Sequence, residues 1–531
     1  MTIDHQANDH QDRLWLAAGI IVAALAVSIT LAAMSQGGYH DDDLTHYQFA
    51  RWAWIWPEYL LHSWGRPGFT LLHFLPARFG WLACRWTSGL LSPATALLAY
   101  ATARRLRLPL PWTVPLLIFA QPLFLTLSYT TLTETALALY LAAAVYLLVA
   151  NHPIASAAVL SLGFVTRYEC VVLIPIWVAV LWPHKRRWLG FCLLLWAPAL
   201  HNLLAWPTLD ELPLLAWLAP NGLTEYGHGC WTTFLAKTTI AFGAGITPLA
   251  AAGVRSLWRR QQGWLIALSC AAYLLAETVL RATGSYGSGG YARFLVPLAP
   301  LIALLACAGL GDLLSKPPRR MAAAVIIFAI AMVAVAVAVE LELKLENIYW
   351  LGRETWGLRL ATLLVLAVST ISISLTLRGR PAWARWLLPL LVVVITTVQL
   401  SRQIRPLHLA PDQSAMHQTI RWLNGNGLTH RPIYVANLWL EQFLGRARSP
   451  RLRVFRHDVA LAPPGSIIIW DQRYGSHPHT GLALPELRDN PRWFRLLYRS
   501  PATSHEGIFA YVFEKLAHPV ASTCPAAGSK L

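Results

Sequence analysis

Three consecutive carboxylates, Asp41-Asp42-Asp43, follow His40 just beyond the first long apolar run, Leu14–Met34. That run of about 20 uncharged residues is enough to cross a bilayer as one helix. A carboxylate triplet just past its end lies at the membrane surface, where ionised groups stay hydrated and reachable. Such a cluster can hold a divalent cation or supply a base. Other ionisable residues stand at the ends of later apolar runs: Arg66, Glu134, Arg167, Glu169 and Arg293. Charges at membrane depth are costly, which makes them functional candidates by default. Several carboxylates with several arginines suit a phosphorylated substrate, whose leaving group must be stabilised while a base activates a nucleophile. Metal-assisted transfer from a lipid phosphate would use the same residue types.

Apolar helices must position these groups. Of 531 residues, 56% are hydrophobic and only 13% charged, with 25 Trp, and apolar runs recur from residue 14 to residue 401. No soluble core needs that much, so the class is a polytopic membrane protein. The polar leader, residues 1–13, has no small-residue cleavage site, which predicts a retained first helix. Seven scattered cysteines without a CxxC pair read as small core hydrophobes.

The net charge of +17 does not point to nucleic acid, because the basic residues punctuate alternate loops. Clusters occur at Arg104-Arg105-Arg107, Lys185-Arg186-Arg187, Arg255-Arg259-Arg260, Lys316-Arg319-Arg320 and Arg378-Arg380-Arg385. Intervening loops are neutral or acidic, as at Asp210-Glu211-Glu225 and Glu340-Glu342-Glu346-Glu354. This alternation is the positive-inside pattern, and it places the Asp41–Asp43 loop on the outer face. About thirteen spans satisfy it. They are 14–34, 81–103, 112–128, 133–150, 154–166, 170–182, 188–206, 231–253, 264–281, 292–311, 321–340, 360–377 and 386–401. An odd count puts the N-terminus in the cytoplasm and the C-terminus outside. The first outer loop, 35–80, carries an expected interfacial amphipathic helix over Leu44–Leu61.

After residue 401 the chain turns polar and Pro-rich. Short β-like runs at Pro432–Ala436, Ser466–Trp470 and Phe509–Phe513 alternate with helical stretches at Ser414–Asn424 and Asn437–Leu444. Residues 402–516 therefore read as a small α/β extracytoplasmic domain, and 517–531 as a disordered tail.

Several motifs resemble those of GT-C-fold glycosyltransferases, membrane enzymes that take a sugar from a polyprenyl- or dolichyl-phosphate. Asp42-Asp43 followed by Ala50-Arg51 resembles their first-loop signature. Gly65-Arg66-Pro67-Gly68 resembles the basic-Pro element before the second helix, and Thr133-Glu134-Thr135 the second acidic motif. Thr166-Arg167-Tyr168-Glu169 resembles a Thr-Arg turn between short helices, and Tyr291–Pro300 an Arg-Phe…Pro…Pro segment of mannosyltransferases. About thirteen helices and an outer soluble domain resemble the branch of protein O-mannosyltransferases and lipid A aminoarabinose transferases, glycosyltransferase family 39-like.

The resemblance implies an all-α, GT-C-like membrane fold in a bacterial inner membrane. It implies sugar transfer to a lipid, glycan or protein acceptor. Asp42, Asp43 and Glu134 would be catalytic, Arg66, Arg167 and Arg293 would bind donor phosphate, and His46 and Glu169 would support them. Asp43 and Glu134 could hold Mg²⁺ or Mn²⁺, although Glu replaces the family's usual Asp at 134. Plainer readings exist for each. The aspartates can cap a helix, Glu134 can answer a helix dipole, and the arginines can snorkel to lipid. A carrier or flippase for an anionic lipid or sugar is the rival function, and an O-antigen-type polymerase or ligase a third.

Overall fold

Uninterrupted apolar sequence makes Leu14–Met34 a single helix, with the boundaries its hydropathy predicts. In the computed structural model the described residues are 13–209, 212–213, 227–285, 288–315, 318–346, 352–377, 382–445, 455–476, 481–501 and 510–517. Several expectations fall outside them: the leader 1–12, loop residues Asp210, Glu211, Glu225, Lys316, Arg378 and Arg380, and the tail 518–531. The chain divides into two compact units, one of Met1–Met34 with His46–Pro406, the other of Ser35–Thr45 with Leu407–Leu531.

Among the described residues, the regular structure of the first unit is all helix, as an apolar solvent requires of a spanning backbone. Its helices include Trp81–Arg105, Thr133–Val149, Pro153–Phe164, Arg187–Leu209, Gly263–Thr283, Ala299–Leu313, Pro318–Glu346, Gly352–Leu377 and Leu387–Ser401. Among the described residues, six helices can cross a membrane by length and hydropathy, or seven if one bent pair counts as a span, with four shorter apolar helices besides. Length and composition alone do not reach the expected thirteen.

Two expected spans are broken. The 112–128 run is Thr113–Phe119 and Pro122–Leu127, because Pro122 supplies no backbone N–H to continue the first helix. The 231–253 run is Thr233–Ala241 and Ile246–Trp258, bent by 104°. Gly243, at φ 99°, makes the break, and Gln399 satisfies the exposed backbone there. Its Oε1 accepts from Ala244 N–H at 2.9 Å, and its Nε2 donates to the Thr239 carbonyl at 2.6 Å.

The expected amphipathic helix over Leu44–Leu61 is shorter and earlier. It runs Asp41–Trp52, with three acidic residues in its first turn and Arg51 in its last, the charge order that a helix dipole favours. Short 3₁₀ turns at Pro57–Leu60 and Ser63–Gly65 follow, then a helix Pro67–Ala77 that hydropathy did not separate from the loop.

The second unit holds a four-stranded sheet in the order β1-β2-β4-β3: β1 Ile433–Val435, β2 Ile467–Asp471, β3 Phe494–Arg499 and β4 Ala510–Lys515. β1 and β2 are parallel, joined through helices Leu438–Leu444 and Phe455–Leu461, and the other pairings are antiparallel. β2 is buried along its length, which its apolar run Ile467-Ile468-Ile469-Trp470 predicts.

Candidate functional site

Glu134 stands in the first turn of Thr133–Val149 and is completely buried. A lone carboxylate there would be untenable, and the chain supplies its partner from the turn after Pro153–Phe164. Arg167 Nη1 donates to Glu134 Oε1 at 2.8 Å, and Nη2 donates to Glu169 Oε1 at 2.9 Å. One guanidinium therefore bridges two carboxylates, a use of its fork that an ammonium cannot copy. Arg293 approaches the same Glu134 oxygen at 3.6 Å. Phe294 lies beneath both arginines, its ring centroid 4.5 Å from Arg167 Cζ and 5.4 Å from Arg293 Cζ.

Arg66 completes the group. Its guanidinium covers the Tyr168 ring at 4.6 Å, and its charge acts on Glu169. The backbone at Arg66 is left-handed, φ 59°, which is uncommon for a residue with a side chain and marks a position held by its surroundings. Gly68 shows what holds it. A Cβ there would collide with Thr166 Oγ1 and the Leu162 carbonyl, so only glycine lets helix Pro67–Ala77 dock on the Arg167 turn. Gly68 N–H donates to the Val165 carbonyl at 3.3 Å, and Tyr140 donates to the Gly68 carbonyl at 2.9 Å.

Five expected site residues thus converge: Arg66, Glu134, Arg167, Glu169 and Arg293. Sequence reading missed two buried neighbours on helix Gly263–Thr283, Tyr273 and Glu277, which interact with Arg167 and Glu169. It also missed Lys237, whose Nζ donates to the Gly290 carbonyl at 2.6 Å and so ties down the chain just before Arg293. For Glu277 and Lys237 a charge inside an apolar span was the available signal. Glu134 Oε2, Glu169 Oε2 and Glu277 Oε1 are buried with no hydrogen-bond partner among the described residues. Buried acceptors of this kind are rare without a water or a ligand to satisfy them.

His46 lies in the same unit, buried, with its ring 5.4 Å from that of Phe69. The aromatic loop after it packs on itself: Phe49, Trp52, Tyr59 and His62 form ring contacts with centroids 4.7–5.7 Å apart. Burial lowers the His62 pKa to about 4, so that ring is neutral and its Nδ1 accepts from Trp64 N–H at 3.1 Å.

Asp41, Asp42 and Asp43 belong to the second unit and differ sharply from one another. Asp41, expected to face water, is instead enclosed. Its Oδ1 accepts from Trp439 Nε1 at 2.9 Å, and Oδ2 meets Arg473 Nη2 at 2.8 Å and the Tyr474 hydroxyl. Asp43 is buried, and its Oδ2 accepts Tyr39 N–H at 3.1 Å, the capping use of a carboxylate at a helix start. Asp42 keeps 23% of its side-chain surface, with His40 Nδ1 at 3.5 Å. Of the three it is the most exposed carboxylate.

Among the described residues no group of three or more His, Cys, Asp or Glu side chains gathers as a metal site. The donor set at Glu134 does not fit a divalent cation, because two guanidinium groups already crowd that carboxylate.

No protein-family model matches the chain, and no curated protein sequence does. Solved structures do. The chain aligns with ArnT from Cupriavidus metallidurans bound to undecaprenyl phosphate at TM-score 0.58 and 14% identity, over 97% of this chain and 99% of that one. The apo state of the same protein aligns at TM-score 0.56 and 14% identity, over 93% and 97%. The fold is therefore GT-C-like, and the chain is a multi-pass membrane protein with a small α/β domain.

Proposed function

We propose that this chain is an integral membrane glycosyltransferase that moves a sugar from a polyprenyl-phosphate donor to a lipid, glycan or protein acceptor. The observation that carries the reading is the near full-length likeness to a protein crystallised with undecaprenyl phosphate. The buried charges support it chemically. Arg66 and Arg293 hold the donor phosphate, while Arg167, with both terminal nitrogens committed to carboxylates, keeps the cluster in shape. The open oxygens of Glu134, Glu169 and Glu277 accept hydrogen bonds from sugar hydroxyls.

Asp42 takes the proton from the acceptor hydroxyl or amine as that atom bonds to the anomeric carbon. The bond from that carbon to the phosphate oxygen breaks, and polyprenyl phosphate leaves as an anion stabilised by fixed guanidinium groups. The fixed arginines take the part that the sequence assigned to Mg²⁺ or Mn²⁺ at Glu134.

Transfer takes place on the periplasmic face of a bacterial inner membrane, with the N-terminus cytoplasmic. Ser35–Thr45 and Leu407–Leu531 fold as one unit, which supports a C-terminal domain on the same face as the first loop.

The carrier reading draws on the 104° break between Thr233–Ala241 and Ile246–Trp258, since broken helices recur in transporters. Here Gln399 fills that break with an amide rather than a charge, which favours the enzyme. Purified protein should release polyprenyl phosphate from a panel of lipid-linked sugars, read by mass spectrometry, with and without EDTA. Absence of turnover across the panel, with lipid flux in proteoliposomes, would shift the assignment to a carrier. Turnover lost only with EDTA would return the cation to Asp43.

A further inference from the structure

Ser35–Thr45, the start of the first loop, belong to the same compact unit as the C-terminal domain. Gln36 and Gly37 N–H both donate to the Leu407 carbonyl, at 3.0 and 2.9 Å, and Leu407 N–H donates to Ser35 Oγ at 2.9 Å. A Cβ on Gly38 would sit 3.0 Å from the Trp439 ring, so the loop passes that indole closely. Arg473 then closes the arrangement. Its Nη2 is 2.8 Å from Asp41, its Nη1 donates to Asp412 Oδ2 at 2.9 Å, and its backbone N–H donates to Asp471 Oδ1 at 3.1 Å.

We propose that Arg473 is a positioning residue: by bridging Asp41 and Asp412 it fixes the first turn of helix Asp41–Trp52, and with it the direction in which Asp42 presents its carboxylate. The inference rests on the reading of Asp42 as the base. Adjacent helical residues are about 100° apart around the axis, so a fixed Asp41 leaves Asp42 only its own side-chain torsions. Asp41 cannot itself be the base, because Trp439, Tyr474 and Arg473 occupy both of its oxygens. Placement within a fraction of an ångström is what a general base needs, and a displaced one loses rate rather than donor affinity. The C-terminal domain thereby has a role in transfer that its lack of membrane-spanning sequence does not suggest.

The test uses the full-length protein in detergent or nanodiscs. Arg473→Ala should speed hydrogen exchange of amides 41–45 by roughly tenfold or more, while Ile467–Asp471 stays protected. It should lower kcat by about 10²-fold, the scale of a misplaced catalytic group, with the donor KM unchanged. Arg473→Lys, which can reach one carboxylate but not bridge both, should fall between. Should Arg473→Ala fail to fold, Asp41→Asn carries the same comparison, because the amide keeps the size and removes the ion pair. Unchanged exchange at 41–45 overturns the proposal, and so does loosened exchange with full kcat. If the wild type transfers no sugar at all, the base reading fails, while the exchange measurement still decides whether Arg473 holds the loop.

Discussion

Arg167→Lys is the substitution that most directly tests the buried cluster. Arg167 reaches Glu134 at 2.8 Å and Glu169 at 2.9 Å with separate nitrogens, and both carboxylates are buried. A lysine ammonium is a single point on a flexible stem and can satisfy one of them. It should settle on Glu169, because Arg293 already stands 3.6 Å from Glu134. The substitution then forfeits one hydrogen bond between charged groups, about 1.5–3 kcal/mol. If the lost energy appears wholly in transition-state placement, kcat/KM falls by roughly 10- to 100-fold, at 1.36 kcal/mol per decade. Arg167→Ala is harsher, since removing one member of a buried ion pair costs about 3–5 kcal/mol and here two carboxylates lose their main partner. That variant should lose folded protein rather than only rate. Donor turnover and Tm measured on Arg167→Lys, Glu169→Gln and the double variant form a cycle. The reasoning requires a coupling of at least about 0.5 kcal/mol between them, the threshold for residues in contact. Additive effects, or Arg167→Lys with wild-type turnover and Tm, would refute it.

Asp42→Asn keeps size and most hydrogen bonding but removes the base, so transfer should fall by about 10²–10⁴-fold with normal expression; an active Asp42→Asn sinks the mechanism. Arg66→Ala should reduce kcat/KM by about 10² or more, the scale of one lost charge-stabilising donor, as measured by polyprenyl phosphate release. Burial raises the Asp471 carboxyl from 3.8 to about 6. Its stabilising contribution is thus complete below pH 3.8 and disappears as pH rises through about 6, a change on the order of 3 kcal/mol. The Tm of Asp471→Asn relative to wild type should therefore climb between pH 4 and pH 8, and a flat difference would count against it. A reporter fused after residue 401 should be active only in the periplasm and one within Lys185–Arg187 only in the cytoplasm; the reverse would void the sidedness.

What the sequence disclosed and what it withheld follow from the range of each signal. Leu14–Met34 was legible to the residue because hydropathy is a local property and nothing interrupts it. Glu134, Arg167 and Arg293 were legible because charge in apolar surroundings is conspicuous, and the expected sidedness allowed them one shared cavity. The same rule would have found Glu277 and Lys237, had single charges inside expected spans been weighed as heavily as those at span ends. β3 escaped because Phe494–Arg499 begins on an aromatic, ends on arginine and is half exposed, so it shows neither a clean alternation nor an apolar run. Asp41 lay beyond sequence reasoning of any kind. Its tyrosine partner is 433 residues further on, and no local pattern distinguishes a carboxylate that meets Tyr474 from one that meets water. The triplet Asp41-Asp42-Asp43 reads as three equivalent acids only until tertiary structure gives each a different neighbour. One is held by Arg473, one accepts a backbone N–H at a helix start, and the one left part-exposed is the acid that the proposed mechanism uses.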